Sequence, residues 1–440
     1  MLIPPRKPLF RKNQGISGPY RIVALVLVIM MLLFVLRSVN SGAVQPFFMP
    51  TLTPTRSFLS YASEGETNFL AGDLNKAIEA YQQALRIDPL NVDLWSELAR
   101  IQVYSSALLT TDADKRERLE EAVASAEQAI QTQAENSTAY AVKAFSLDWL
   151  ASAGVVKDES QSLLTQAEQA AVKALQLDNQ NTLALAYYAE VLVDQQKWLQ
   201  ADQNIKEAIQ RDPSLMDVHR INGYVQESLG NYSEAITEYK RAVEIMPNMT
   251  FLYMSVGVNY RKLEQYDLAL EYFAMAANIN EQLGVFDPIP YLSIANTYVQ
   301  MGEFFSAGLN ARKGLSFRPS DPNVFAQLGI IYFKARNYEG AIPALKCALQ
   351  GCTAEEACEV RQCDAATDPM SAIEGMPLSD NTVVYYFTYG SVLAGMHRES
   401  NGYCEEAMQI LGMVRREYSN DESVMQTVEE SENICRYYGY

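Results

Sequence analysis

GDLNKAIEAYQQALRIDPLN (residues 72–91) and GNYSEAITEYKRAVEIMPNM (residues 230–249) follow one plan: a turn, an amphipathic helix with alanines at fixed places, then Asp-Pro or Met-Pro. The plan recurs along the chain. Counted from starts at 58, 92, 137, 182, 216, 250, 288 and 322, the spacings are 34, 45, 45, 34, 34, 38 and 34 residues. A dominant period of 34 predicts a helical hairpin stacked many times, because one hairpin cannot bury its apolar faces alone. Pro89, Pro213, Pro247 and Pro319 stop the second helix of a hairpin and open the next one.

The recurring columns have a packing logic. A small residue returns in the first helix at Gly65, Ala99, Ala144, Ala189, Gly223, Gly257, Ala295 and Gly329. The second helix carries two small columns seven residues apart, Ala77 with Ala84 through Ala341 with Ala348, and between them bulky fillers such as Tyr81, Ile205, Tyr239, Phe273 and Leu345. Small and large residues thus interlock, as close helix packing requires.

In these columns the chain resembles the tetratricopeptide-repeat (TPR) family, over residues 58–352 in eight repeats and in a degenerate ninth within 381–440, ahead of a capping helix from Glu422 to Tyr437. Ala134, Asn179, Glu281 and Cys352 depart from the family by standing where it prefers proline. Repeats two and three each carry 11 extra residues, read as lengthened helices with longer loops that include Thr110 to Arg118 and Gly154 to Ser160, a surface insertion. The resemblance implies an all-α fold, a right-handed α-solenoid of antiparallel helix pairs whose concave side is lined by first helices and receives a protein or peptide. Matching positions are Ala186, Glu190, Val193 and Asp194, then Arg220, Tyr224 and Glu227, then Met254, Val258 and Arg261. Leu292, Asn296 and Val299 follow, and then Ala326, Ile330 and Phe333. This lining runs from polar and acidic to apolar, and either a partner or the molecule's own curvature would cover it. The Lys, Arg and Asn set with which some relatives clamp a terminal carboxylate is not found.

The 440 residues hold 53 acidic and 35 basic side chains, a net charge of -18, unevenly placed. Arg6, Lys7, Arg11, Lys12 and Arg21 form a basic leader (residues 1–21) ahead of the apolar run Ile22 to Leu36, and Arg37 closes it; residues 38–440 carry -24. A 15-residue helix spans about 22 Å at ~1.5 Å per residue, short of a ~30 Å hydrocarbon core, and snorkelling by Arg21 and Arg37 closes most of the gap. Residues 22–37 therefore read as a transmembrane signal anchor, with the basic leader cytoplasmic and everything after Arg37 outside the cytoplasm. A cleaved secretory signal ending at Ser41-Gly42-Ala43 is the alternative. Residues 38–57, with Pro46, Pro50 and Pro54, read as an extended linker.

All six cysteines lie near the C-terminus, and CTAEEACEVRQC (352–363) begins an insertion over residues 353–380. An even number of cysteines outside the cytoplasm favours disulfides. Of fifteen pairings the one chosen is Cys404 with Cys435, Cys358 with Cys363 and Cys347 with Cys352. Zinc is disfavoured because the segment has no C-x-x-C pair and no histidine.

The sequence carries no phosphate loop, nucleophile elbow, H-E-x-x-H or dinucleotide turn, and only two histidines. His219 occupies a column otherwise filled by Trp95, Tyr140, Leu185, Tyr253, Tyr291 and Phe325, so it reads as a packing residue; His397 falls in a turn with no evident partner. An acidic array repels nucleic acid. The expectation is a non-enzymatic scaffold without cofactor or metal, anchored in a membrane and assembling an envelope or surface complex. The alternative is an accessory subunit permanently buried in a membrane enzyme or a transport or secretion complex.

Overall fold

The computed structural model describes residues 18–40, 56–156, 158–364 and 367–440. Most of the basic leader, the proposed cleavage site and most of the linker lie outside the described residues. The chain divides into two units, Met1–Arg56 and Ser57–Tyr440.

In the first unit, α1 runs from Pro19 to Asn40. The apolar run alone is short for a bilayer, but the helix continues through Tyr20, Arg21 and Arg37. Its 22 residues span roughly 33 Å at ~1.5 Å per residue, so the length shortfall disappears. It is long and apolar enough to cross a membrane, and its apolar side chains are exposed. Anchor and signal sequence both fit it.

The second unit is all-α: helix pairs stacked as a TPR solenoid. The pairs are α2 (Phe58–Ala71) with α3 (Leu74–Ile87), α4 (Val92–Ser106) with α5 (Asp112–Thr132), and α6 (Ser137–Ser152) with α7 (Ser160–Leu177). Then come α8 (Thr182–Asp194) with α9 (Trp198–Arg211), α10 (Met216–Ser228) with α11 (Tyr232–Ile245), and α12 (Thr250–Lys262) with α13 (Tyr266–Leu283). The series ends with α14 (Ile289–Met301) and α15 (Phe304–Phe317), α16 (Pro322–Lys334) and α17 (Tyr338–Gln350), the short α18 (Ala354–Arg361), α19 (Val383–Met396) with α20 (Tyr403–Glu417), and α21 (Glu422–Tyr437).

The small column of the first helix faces the bulky filler of its own partner helix. A Cβ added at Gly65 or Gly223 would come within 2.8 Å of the Tyr81 or Tyr239 ring, at Gly257 within 2.5 Å of Phe273, and at Gly329 within 2.6 Å of Leu345. The same relation holds at Gly390, whose added Cβ would lie 2.6 Å from Leu411, so α19 and α20 pack as a further repeat. α21 then packs on both of them, and Val428 and Cys435 are fully buried.

The first-helix column led by Trp95 has a second role. Trp95 Nε1 and Tyr253 Oη each donate to the carbonyl of the helix-stopping proline six residues earlier, both at 2.9 Å. His219 Nε2 meets the Pro213 carbonyl in the same way, at 2.9 Å, while its Nδ1 faces Glu238 at 2.7 Å. His219 is therefore a polar-tipped packing residue. His397 corrects the expectation made for it: it is buried, Nδ1 accepts the Cys404 N–H at 3.0 Å, and Tyr438 and Tyr440 pack on its ring.

The extra residues of repeats two and three are not idle surface. Residues 112–118 are helical, the first turns of α5, and the loop is confined to 107–111. From there Thr110 bonds Asp321 at the start of α16, and Asp112 accepts from Ser379 and Asn381 at 2.9 Å each. The Asn381 amide also reaches the Ala153 carbonyl in repeat three, at 3.4 Å. The solenoid is wound tightly enough for early repeats to touch late ones: Tyr104 stacks on Phe251 at 5.0 Å, and Asn248 donates to the Leu70 carbonyl at 3.0 Å.

The insertion after α17 folds back on it. Cys352 and Ile373 exchange backbone hydrogen bonds, and Met376 N–H donates to the Ala348 carbonyl at 2.9 Å. Disulfides join Cys347 to Cys352, Cys358 to Cys363 and Cys404 to Cys435.

Candidate partner-binding site

Successive first helices lie side by side, and a repeat of 34 residues less one helical turn of about four brings residues 30 apart into contact across the boundary. Three such pairs join α8 to α10. Arg220 grips Glu190 through both terminal nitrogens at 2.7 and 2.6 Å. Tyr224 donates to Asp194 at 2.5 Å, and Tyr187 to Asp217 at 2.8 Å. The spacing is present in the sequence as complementary residues 30 apart. Columns aligned at whole repeats do not reveal it.

Arg220 is buried, with its guanidinium over the rings of Phe145, Tyr104 and Trp149 at 5.2, 5.5 and 5.8 Å. Trp149 Nε1 also donates to Glu190, at 3.0 Å. Asp217, equally buried, accepts from Tyr104 and from Arg100, the latter at 3.1 Å. Burial alone would raise its carboxyl, yet Arg100 and Arg220 nearby hold it below the ordinary value. Repeats two, three, four and five are thus tied together by a polar cluster within an aromatic shell.

Beside this cluster the inner face opens into a cavity of about 510 Å³. α8, α10 and α12 give it Glu190, Asp194, Arg220, Tyr224, Glu227, Phe251, Met254 and Val258. Leu108, from the loop after α4, and Lys115 and Leu119, from the first turns of α5, form a further wall. The concave side is partly covered by the chain itself and partly open.

Of the lining read from the sequence, Glu190, Arg220, Tyr224, Met254 and Val258 meet at this cavity. Arg261, Leu292, Asn296, Val299, Ile330 and Phe333 do not line it. Arg261 lies over Phe273 at 5.5 Å, and burial lowers its pKa from the ordinary arginine value. Leu292 is a correction: it is buried in the core of the late repeats and is not offered to a partner. Val299 and Phe333 pack against that same core. The sequence reading missed Asp148, Trp149 and Phe251, which lie outside the small columns.

Carboxyls outnumber cations around the cavity. Asp148 is buried, and among the described residues neither of its oxygens has a hydrogen-bond partner. Burial first, then Asp194 and Glu190, push its pKa well up. Burial likewise raises Asp194, which accepts from Ser152 and Tyr224. Asp287, on the far wall, is pushed up to about 6, again by burial. Among the described residues no three His, Cys, Asp or Glu side chains are grouped as metal ligands.

Two family models match the chain, "TPR repeat" over residues 65–103 and "Tetratricopeptide repeat" over residues 188–249. The chain is a tetratricopeptide-repeat protein. A curated relative, the probable UDP-N-acetylglucosamine–peptide N-acetylglucosaminyltransferase SPINDLY of Hordeum vulgare, is 27% identical over 126 residues, 27% of this TPR chain and only 13% of the relative's own length. Among solved structures, a monomeric mutant of IFIT1 with m7Gppp-AAAA aligns over 86% of this chain and 81% of its own, at 16% identity and a TM-score of 0.52. TTC0263, a TPR protein of Thermus thermophilus, aligns over 46% of this chain and 98% of its own, at 16% identity and a TM-score of 0.38. At 16% identity the likeness to the IFIT1 structure is one of fold. The repeats make the array a scaffold for protein partners.

Proposed function

We propose that this protein is a membrane-anchored scaffold whose repeat array stands outside the cytoplasm and holds protein partners during assembly of an envelope or surface complex. Partners engage the cavity and the exposed helix faces, and α1 concentrates them at one membrane. The array performs no chemistry of its own, uses no cofactor, and its acidic surface keeps nucleic acid away.

The observation that carries the proposal is the combination, in one chain, of the apolar α1 with a TPR array whose six cysteines are all paired. Stable disulfides belong to oxidising compartments. The test is thiol alkylation in freshly lysed cells with and without reductant, beside an alkaline phosphatase fused after Tyr440. The proposal expects labelling only after reduction and an active fusion. Labelling of all six cysteines without reductant, with an inactive fusion, would refute it.

A second reading, the permanently buried accessory subunit, draws on the exposed apolar face of repeat seven. Phe305 is 78% exposed, and Leu309 is also exposed one turn further along α15. An array insoluble without co-expressed subunits, and rescued by Phe305→Glu, would favour that reading.

A further inference from the structure

We propose that the cavity receives a basic side chain, lysine or arginine, presented by the bound partner. This rests on the scaffold reading and specifies the chemistry of its partner.

Charge and shape both select a cation. Arg220, the buried cation of the wall, is already committed through both terminal nitrogens to Glu190. Among the described residues Asp194 and Glu227 have only neutral donors on the wall: Ser152 and Tyr224 on the first, Tyr239 and Asn259 on the second. Asp148 lies one turn before Ser152 on α6, 1% exposed, with neither carboxyl oxygen bonded. Lys115, the other cation of the wall, is half-buried and forms a salt bridge with none of these carboxylates. An incoming cation would meet two carboxylates that lack a counter-ion, with a third behind them, whereas an incoming carboxylate would meet like charge. Trp149 and Phe251 also line the wall, and aromatic rings favour a desolvated cation. At about 510 Å³ the cavity lies within the range of specific ligand sites and has room for a long side chain with its flanking backbone.

The test uses the full chain in detergent with Trp95→Phe and Trp198→Phe, which leaves Trp149 as the single tryptophan. The probes are acetyl-Ala-Lys-Ala-amide, acetyl-Ala-Arg-Ala-amide and acetyl-Ala-Glu-Ala-amide, titrated against Trp149 emission. The basic peptides are expected to change the emission saturably and the glutamate peptide to leave it unchanged. Asp194→Asn should weaken basic-peptide binding roughly tenfold, the loss of about 1.4 kcal/mol of charge-assisted contact. Glu227→Gln, on a different helix, gives a second reading should the first variant misfold. Equal or tighter binding of the glutamate peptide, no binding of either basic peptide, or basic-peptide binding unchanged in a folded Asp194→Asn or Glu227→Gln variant would each overturn the inference. Cross-linking of a partner at the cavity wall, alongside failure of the basic peptides, would overturn this inference alone and leave the scaffold reading standing.

Discussion

Replacing Arg220 by methionine leaves Glu190 buried without its cation, and the cost follows from the geometry. Both carboxylate oxygens of Glu190 are engaged by Arg220, and only Trp149 donates to it otherwise. Breaking a buried ion pair from one side costs about 3–5 kcal/mol, because the remaining charge is desolvated and unpaired. If the roughly 380 residues of Ser57–Tyr440 melt together, an unfolding entropy of about 2.1 cal/mol/K per residue sums to roughly 0.8 kcal/mol/K, and the midpoint falls by roughly 4–6 °C. Glu190→Met combined with Arg220→Met should recover most of that loss, since neither member of the pair then leaves its partner's charge alone and the nearby Asp217 keeps Arg100. Calorimetry of the parent, both single variants and the double variant decides the matter. A double variant that falls by the sum of the single losses would refute the reasoning. It would show that the stacked guanidinium, and not the orphaned carboxylate, carries the energy.

Gly257→Ala should destabilise the array by about 1–3 kcal/mol in urea unfolding, because its Cβ would meet the Phe273 ring, while Gly412→Ala on open α20 should gain roughly 0.5–1 kcal/mol of helix propensity. Removing the Cys404–Cys435 bridge, which spans 31 residues, should cost roughly 3–4 kcal/mol, against about 2 kcal/mol for either bridge spanning five. Asp148 has a raised folded-state pKa, so its contribution to stability is whole below the unfolded carboxyl value near ~3.9 and declines as pH rises through the folded value. Asp148→Asn should accordingly raise the melting midpoint at pH 7 and leave it unchanged near pH 3; a variant less stable at pH 7 would contradict this. Thr110→Val with Asp112→Ala should loosen contact between early and late repeats, read as faster amide exchange in residues 107–111 and 377–382 with the helix pairs still protected.

The fold was legible in the sequence because a repeat writes each packing rule many times. One glycine says little, but Gly65, Gly223, Gly257 and Gly329 each stand 16 residues before the ring or leucine they accommodate. The degenerate ninth repeat escaped full reading because its longer turn sets Gly390 and Leu411 21 residues apart. The site was legible only in part. Lining positions taken from first helices found Glu190, Arg220, Tyr224, Met254 and Val258, but not that Arg220 and Glu190 would satisfy each other. Curvature was the missing quantity. Nothing local in Thr110 or Asp112 announces that they meet Asp321, Ser379 and Asn381 more than 200 residues later. These contacts exist only once the superhelix has turned on itself, and they convert an apparent surface insertion into a wall of the cavity.

We propose that the partially covered concave side is where this scaffold holds its partner in place. A photo-reactive residue at Val258, on the cavity wall, compared in intact cells with one at the exposed Phe305, tests it most directly. A discrete cross-linked protein is expected from position 258 and is lost with Asp194→Asn. Cross-links from position 305 alone, with none from position 258, would contradict it and place the partner surface on the outer face.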